Sequence, residues 1–204
     1  MQTRSWLFLF ALIFFISGSL ACGSKPAAVA ADDELLVLDT SYGRIVIEFL
    51  SQDAPLHATH YKQLAREGFY DGTRFHRIVK DKKGLKAIQG GNPNSASDNN
   101  SLWNTEKPGL ETVPAEFSKT LTHRRGAVSA ARSMKDENSA TSQFFICVSD
   151  SPEWDGVYSI FGRVIEGMRV VDLIARAPVF PRTDVPLDGV VVNKAYIIRR
   201  GELD

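Results

Sequence analysis

From residue 34 onward the chain alternates short runs of β-branched and aromatic residues with polar turns. Glu34 to Thr40 and Arg44 to Leu50 flank Ser41-Tyr42-Gly43, and Ile45, Ile47 and Phe49 recur at every second position with Glu48 facing the other way. That period predicts a hairpin with one buried face. Asp53 is placed to cap a helix that has Pro55 in its first turn, carries Leu64 and Ala65 inward and stops at Gly68. Asp71-Gly72 then turns the chain into a strand from Thr73 to Val79, followed by the charged loop Lys80 to Lys86 and a short strand, Ala87 to Gly90. Asn92 to Pro114 is rich in asparagine, serine, glycine and proline, a long irregular segment of the kind that serves function in compact domains. Strands resume at Gly126 to Ala131, Phe144 to Ser149 and Ser159 to Val164. A second helix begins near Gly167 with Val170, Leu173 and Ile174 spaced i, i+3, i+4 toward the core, and a last strand runs from Val190 to Arg199. The fold class is mainly β, with about eight strands and two helices. The first and last strands are both long and apolar, and closing them against each other would remove both edges and give an antiparallel β-barrel.

The amino terminus reads differently. Arg4 precedes a wholly apolar run from Trp6 to Ile16, followed by Ser17-Gly18-Ser19-Leu20-Ala21-Cys22, the order of an export signal. The run is about half of the ~20 residues that a membrane span needs. Small residues before a cysteine, with Gly23-Ser24 after it, also resemble a bacterial lipoprotein signal. Residues 1–21 are therefore expected to be the signal peptide, Cys22 the lipidated first residue, 22–33 an alanine-rich tether, and 34–204 one domain. A single acyl chain binds a membrane only marginally, whereas several on one cysteine anchor it firmly. Gly23, in place of an aspartate, favours the outer membrane facing the periplasm if the host has two membranes. Loss of the leader leaves Cys147 as the one thiol, and a disulfide framework is then excluded in a monomer. It also leaves 23 basic against 24 acidic residues, since Arg4 is removed from the balance of 24 and 24, and nothing points to nucleic acid.

Three short stretches carry the chemistry: Phe75-His76-Arg77-Ile78, Gln89-Gly90-Gly91 and Ser142-Gln143-Phe144-Phe145-Ile146. Together they set a cation and an amide among aromatic side chains, a combination that fits a site for a proline peptide bond. In a period-two strand Phe75 and Arg77 would share one face, with His76 and Ile78 on the other. Of Phe144 and Phe145, strand neighbours that face opposite ways, one is expected in the core.

With Gly68-Phe69-Tyr70-Asp71-Gly72, Gly126-Ala127-Val128-Ser129-Ala130-Ala131-Arg132 and Phe161-Gly162-Arg163-Val164 leading to Glu166-Gly167-Met168, these motifs resemble the cyclophilins. The resemblance covers nearly everything from Leu35 to Arg199, and arginine at 132 resembles the bacterial branch. It implies a closed eight-stranded antiparallel barrel capped by two helices and peptidyl-prolyl cis/trans isomerisation of unfolded or extended, proline-containing polypeptides, here helping exported proteins to fold. Rotation about a peptide bond costs ~18 to 20 kcal/mol, yet no bond breaks, so neither nucleophile, metal nor other cofactor is needed. The resemblance makes Arg77 the donor that favours the twisted amide and Phe145 the floor of the proline pocket, with Phe75, Ala87 and Phe161 beside it. Gln89, Ala131 and Arg132 border the peptide groove with Gln143 nearby, Trp154 lies at the rim, Tyr158 stands where many members have histidine, and His76 supports Arg77. Trp154 also resembles the residue that supports cyclosporin-type inhibitors in sensitive relatives. A monomer is expected.

The chain departs from the family between Arg77 and Gln89, where Lys80 to Lys86 are extra and Ala87 takes the place of a methionine. Either Leu85 folds in to rebuild the missing wall or the pocket is wider. The wider pocket motivates an alternative, a proline-peptide binding module or chaperone with little turnover. His57 and His60, i, i+3 on the first helix, read as a solvated face rather than as metal ligands, since no third ligand is near.

Overall fold

The computed structural model describes residues 32–203. Cys22, the signal over 1–21 and most of the 22–33 tether lie outside the described residues. The rest builds one antiparallel sheet of nine strands: β1 (Glu34–Thr40), β2 (Gly43–Phe49), β3 (Arg74–Phe75), β4 (Arg77–Asp81), β5 (Gly84–Gly90), β6 (Ala127–Ala130), β7 (Phe144–Cys147), β8 (Ile160–Glu166) and β9 (Val190–Arg199). Their order is β3-β9-β1-β2-β8-β6-β7-β5-β4. The two ends of that order, β3 and β4, are separated in sequence by His76 alone. The sheet is therefore curled into a nearly closed barrel, and β3 with β4 is one bent strand that changes partner from β9 to β5. Counted that way, the barrel has the eight strands expected, with β1 paired to β9 along its whole length.

The bend corrects one expectation. Phe75 and Arg77 do not share a face: Phe75 is fully buried inside the barrel, edge-on to Phe144 at 6.1 Å, while the Arg77 side chain points outward and is 44% exposed. The corner residue, His76, absorbs the change by giving its N–H to the Gln89 carbonyl at 3.0 Å. A second correction concerns Lys80 to Lys86, which is a continuation of the β4–β5 hairpin rather than a loop, turning at Lys82-Lys83. Val79 pairs with Ala87 but Lys80 pairs with Leu85, so Lys86 is the extra residue of a β-bulge.

Among the described residues the α-helices are α1 (Pro55–Arg66) and α2 (Met168–Ala175). Asp53 does not cap α1. Ala54 holds the N-cap position, and the carboxylate of the distant Glu116 accepts the free N–H groups of Leu56 and His57, each at 2.9 Å. The same carboxylate meets Nδ1 of His57 at 2.6 Å, and this histidine is buried, not solvated. In α2 the inward residues are Val171, Ile174 and Ala175; Leu173 faces out and is 54% exposed. Both helices feed the interior cluster that the strands line, Tyr61 and Ala65 from α1 and Val171 and Ile174 from α2, as caps of a barrel must. At its centre Tyr61 stacks on Phe161 with centroids 4.0 Å apart, and Tyr61 and Tyr70 both meet Phe144 edge-on.

Candidate active site

Three of the motif residues form one row across the outer face of the barrel. Arg77 on β4 is directly opposite Gln89 on β5, Gln89 is opposite Phe145 on β7, and Phe145 is opposite Ser129 on β6. Neighbouring strands lie ~4.8 Å apart, so the Arg77 and Phe145 backbones, two strands apart, are separated by about 10 Å. Directly opposed residues share a face, so a guanidinium, an amide and a phenyl ring stand in line over that span.

The row is held from behind. Nε2 of Gln89 donates to Oε1 of Gln143 at 2.9 Å, and the phenol of Tyr61 donates to the Gln143 carbonyl at 2.8 Å. His76, almost wholly buried, contacts the Gln143 side chain as well. Burial lowers its pKa to about 4, more than its bonds to the Arg74 carbonyl and Gln143 raise it, and the nearby Arg77 charge adds to the lowering. It is therefore a neutral imidazole at pH 7. The glycines of Gln89-Gly90-Gly91 have a steric cause: Gly91 has φ +82°, and a Cβ there would lie 2.5 Å from the Ser142 carbonyl. The Ser142 hydroxyl donates back to the Gly91 carbonyl at 2.9 Å, which locks the second and third motifs together.

Phe145 is the ring that faces outward; Phe144 is the one in the core. Trp154 and Tyr158 both stand edge-on to Phe145 at 5.1 Å, and His123 is stacked with it at 6.0 Å and 17°. Ala87, Ala127, Cys147 and Ile160 complete the buried part of this outer cluster, with Val79, Leu121 and Ala131 partly buried around it. Leu85 packs into the barrel interior instead, because the bulge at Lys86 reverses its side. The wall beside Phe145 is thus made of the small residues Ala87 and Val79. Burial pushes the Cys147 thiol up to about 12, where it is an inert hydrophobe.

Beside this cluster, a groove of about 780 Å³ is lined by Arg77, Gln89, Ala131, Arg132 and Gln143. Its far wall comes from the irregular segment, through Asn92, Asn104, Glu106, Lys107 and Leu110. Arg132 is a staple as well as a lining residue: Nε donates to the Val157 carbonyl at 2.9 Å and Nη1 to the Ser133 carbonyl at 2.8 Å, while its guanidinium lies 5.4 Å from the Tyr158 ring centre.

The structure thus brings Arg77, Gln89, Phe145, Ala87, Ala131, Arg132, Gln143, Trp154 and Tyr158 to one outer side of the barrel, with Ala87 and Phe145 buried within it. It does not bring Phe75 or Phe161 there; both are fully buried inside the barrel, where they pack against Phe144 and Tyr61. His76 lies beneath the surface, in contact with the Gln143 side chain. Two neighbours of the site escape sequence reasoning. His123 reaches Phe145 from a segment with no motif. Asp184 lies in a loop that folds back so that its carbonyl accepts the Ile78 N–H at 2.8 Å and its carboxylate meets Nη2 of Arg77 at 3.4 Å. Nothing local marks either contact, since each joins residues far apart in sequence. Among the described residues no group of three metal-binding side chains occurs.

Residues 35–197 match the family model described as Cyclophilin type peptidyl-prolyl cis-trans isomerase/CLD. A Brucella abortus protein named a probable peptidyl-prolyl cis-trans isomerase is 37% identical over 163 residues, 78% of this chain and 80% of that protein. Peptidyl-prolyl cis-trans isomerase A of Dickeya dadantii is 33% identical over 184 residues, 86% and 90% of the two chains. Among solved structures, a cyclophilin-type isomerase of Cryptosporidium parvum, crystallised in the presence of the dipeptide Ala-Pro, superposes with a TM-score of 0.68 at 27% identity, covering 80% of this chain and 98% of that one. The family model spans the whole barrel from β1 into β9, and this chain belongs to the cyclophilin-type peptidyl-prolyl cis-trans isomerases.

Proposed function

We propose that Arg77 drives the isomerisation by donating to the X-Pro amide as it twists, while Phe145 holds the proline ring. The in-register row of Arg77, Gln89 and Phe145 carries this reading. A planar amide shares its nitrogen lone pair with the carbonyl; in the twisted state the pair is localised on nitrogen and the carbonyl regains its double bond. A permanently charged fork can bond both centres, more strongly in the twisted state than in the planar one, and only such a difference accelerates the step. Gln89, tied to Gln143, offers the groove an amide for the backbone before the proline, and Asp184 holds one corner of the fork so that its other donors face the groove. By analogy with the Cryptosporidium protein, the substrate contains an Ala-Pro-like dipeptide unit within an extended chain.

Replacing Arg77 by alanine is expected to lower kcat/KM of the full-length protein for a proline tetrapeptide by several hundred-fold. That matches a differential interaction of about 3 to 4 kcal/mol. Activity unchanged by Arg77→Ala would reject the mechanism. The leader motif supports a further part of the proposal: the enzyme is exported and held at a bacterial membrane through lipid on Cys22, where newly translocated chains are its clients. Cys22→Ser should then release it from washed membranes, and persistent membrane association of that variant would reject the anchor.

A further inference from the structure

One group on the outer face of β7 has no part in the mechanism above, although it touches every ring of the pocket. His123 is buried. Its ring is stacked with Phe145 at 6.0 Å, edge-on to Trp154 at 6.2 Å, and steeply tilted to Tyr158 at 6.3 Å. A single carboxylate oxygen, Oδ1 of Asp155, accepts both the His123 backbone N–H at 2.7 Å and Nδ1–H at 2.8 Å. The His123 carbonyl in turn accepts the Ser151 N–H at 2.7 Å, next to the turn that carries Trp154. The imidazole is therefore fixed at its backbone and at its ring, in the Nδ1–H tautomer, and Nε2 is left buried without a partner among the described residues.

An outward-facing phenylalanine on a barrel has no partner sheet to set its ring. Proline needs one face of that ring in a fixed place, with the other face and the edges blocked. Trp154 and Tyr158 supply the edges, and His123 is the group that stacks.

We propose that His123, oriented by Asp155, is a positioning residue for catalysis: it backs the Phe145 ring and so sets the floor on which the substrate proline lies. The inference rests on Phe145 being that floor. A histidine held by a carboxylate does this better than an aliphatic residue, because the hydrogen bond to Asp155 fixes the plane of the ring as well as its position. Asp155 follows Trp154 directly in the chain, so the same carboxylate couples the backing ring to the rim.

The test compares steady-state isomerisation of an Ala-Pro tetrapeptide by the full-length wild type, His123→Ala, His123→Phe, Asp155→Ala and Phe145→Ala. Loss of one well-packed ring contact corresponds to a change of up to about ten-fold. His123→Ala is expected to raise KM by about that factor with kcat within about two-fold, because the floor binds planar and twisted proline alike. His123→Phe, which restores a stacking ring, should bring KM back to within about three-fold of wild type, and Asp155→Ala should fall between. A general loss of stability would lower the active fraction and hence kcat, leaving KM unmoved. Unchanged KM in His123→Ala, or in Asp155→Ala should His123→Ala not fold, overturns the proposal when Phe145→Ala is impaired. Full activity in Phe145→Ala would instead overturn the pocket reading itself.

Discussion

The buried histidine at the barrel corner makes stability fall in a defined pH window. His76 is neutral in the folded state because burial lowers its pKa from 6.5 to about 4. A group whose folded pKa is depressed contributes stability that is complete above the unfolded value and disappears as pH drops toward the folded one. The difference of roughly 2.5 units is worth about 3 kcal/mol at full loss, at ~1.36 kcal/mol per unit. Between those limits, linkage gives a loss on the order of 1 kcal/mol at pH 5.5 and of roughly 2 to 3 kcal/mol at pH 4.5. His57, His60 and His123 are lowered by burial as well, against raising contacts with Glu116, with Glu111 and Thr141, and with Asp155 respectively, and add in the same direction. The carboxylates held below their ordinary range, such as Asp32 bonded by Lys62, are lost only at still lower pH. Urea unfolding at pH 7.5, 6.5, 5.5 and 4.5 measures the slope, and His76→Gln isolates it: the variant starts less stable but loses roughly 2 to 3 kcal/mol less on reaching pH 4.5. Parallel curves for wild type and His76→Gln would refute the assignment of His76 as a buried neutral imidazole.

Glu116→Ala removes the cap of α1 and the partner of buried His57 together. It should cost about 3 kcal/mol and lower Tm by roughly 6 to 12 °C in thermal denaturation; a fall under about 2 °C would contradict the remote cap. Gly91→Ala forces a Cβ against the Ser142 carbonyl at positive φ, so it should lose more than about 2 kcal/mol of stability by urea titration and impair activity at the adjacent Gln89; wild-type values for both would contradict the tight approach of the two motifs.

Much of the barrel was legible because it rests on local periodicity. β9 runs from Val190 to Arg199 as the pattern demands, and β1 and β2 form the expected hairpin. Failures occurred where a distant residue overrides the local signal. Asp53 looks like a cap, but Glu116 arrives from elsewhere and Ala54 takes the position. The strand through Phe75 and Arg77 reads as period two until His76 bends it, and the bend is required only because the sheet must close. Leu85 was a candidate wall for the pocket, yet one bulged residue, Lys86, turns it into the core. At the site, Arg77, Gln89 and Phe145 announce themselves by type and order. His123 and Asp184 do not, because a lone histidine and a loop aspartate gain meaning only from what they touch in three dimensions.

The most direct test of the central claim separates binding from turnover in one sample. NMR exchange spectroscopy on an Ala-Pro peptide, with full-length wild type and Arg77→Ala, reports cis/trans exchange while the peptide shifts report affinity. An arginine that acts chiefly on the twisted amide predicts that Arg77→Ala binds the peptide within a few-fold of wild type and loses catalysed exchange. Exchange persisting at the wild-type rate in Arg77→Ala, or lost only in step with peptide binding, would contradict it.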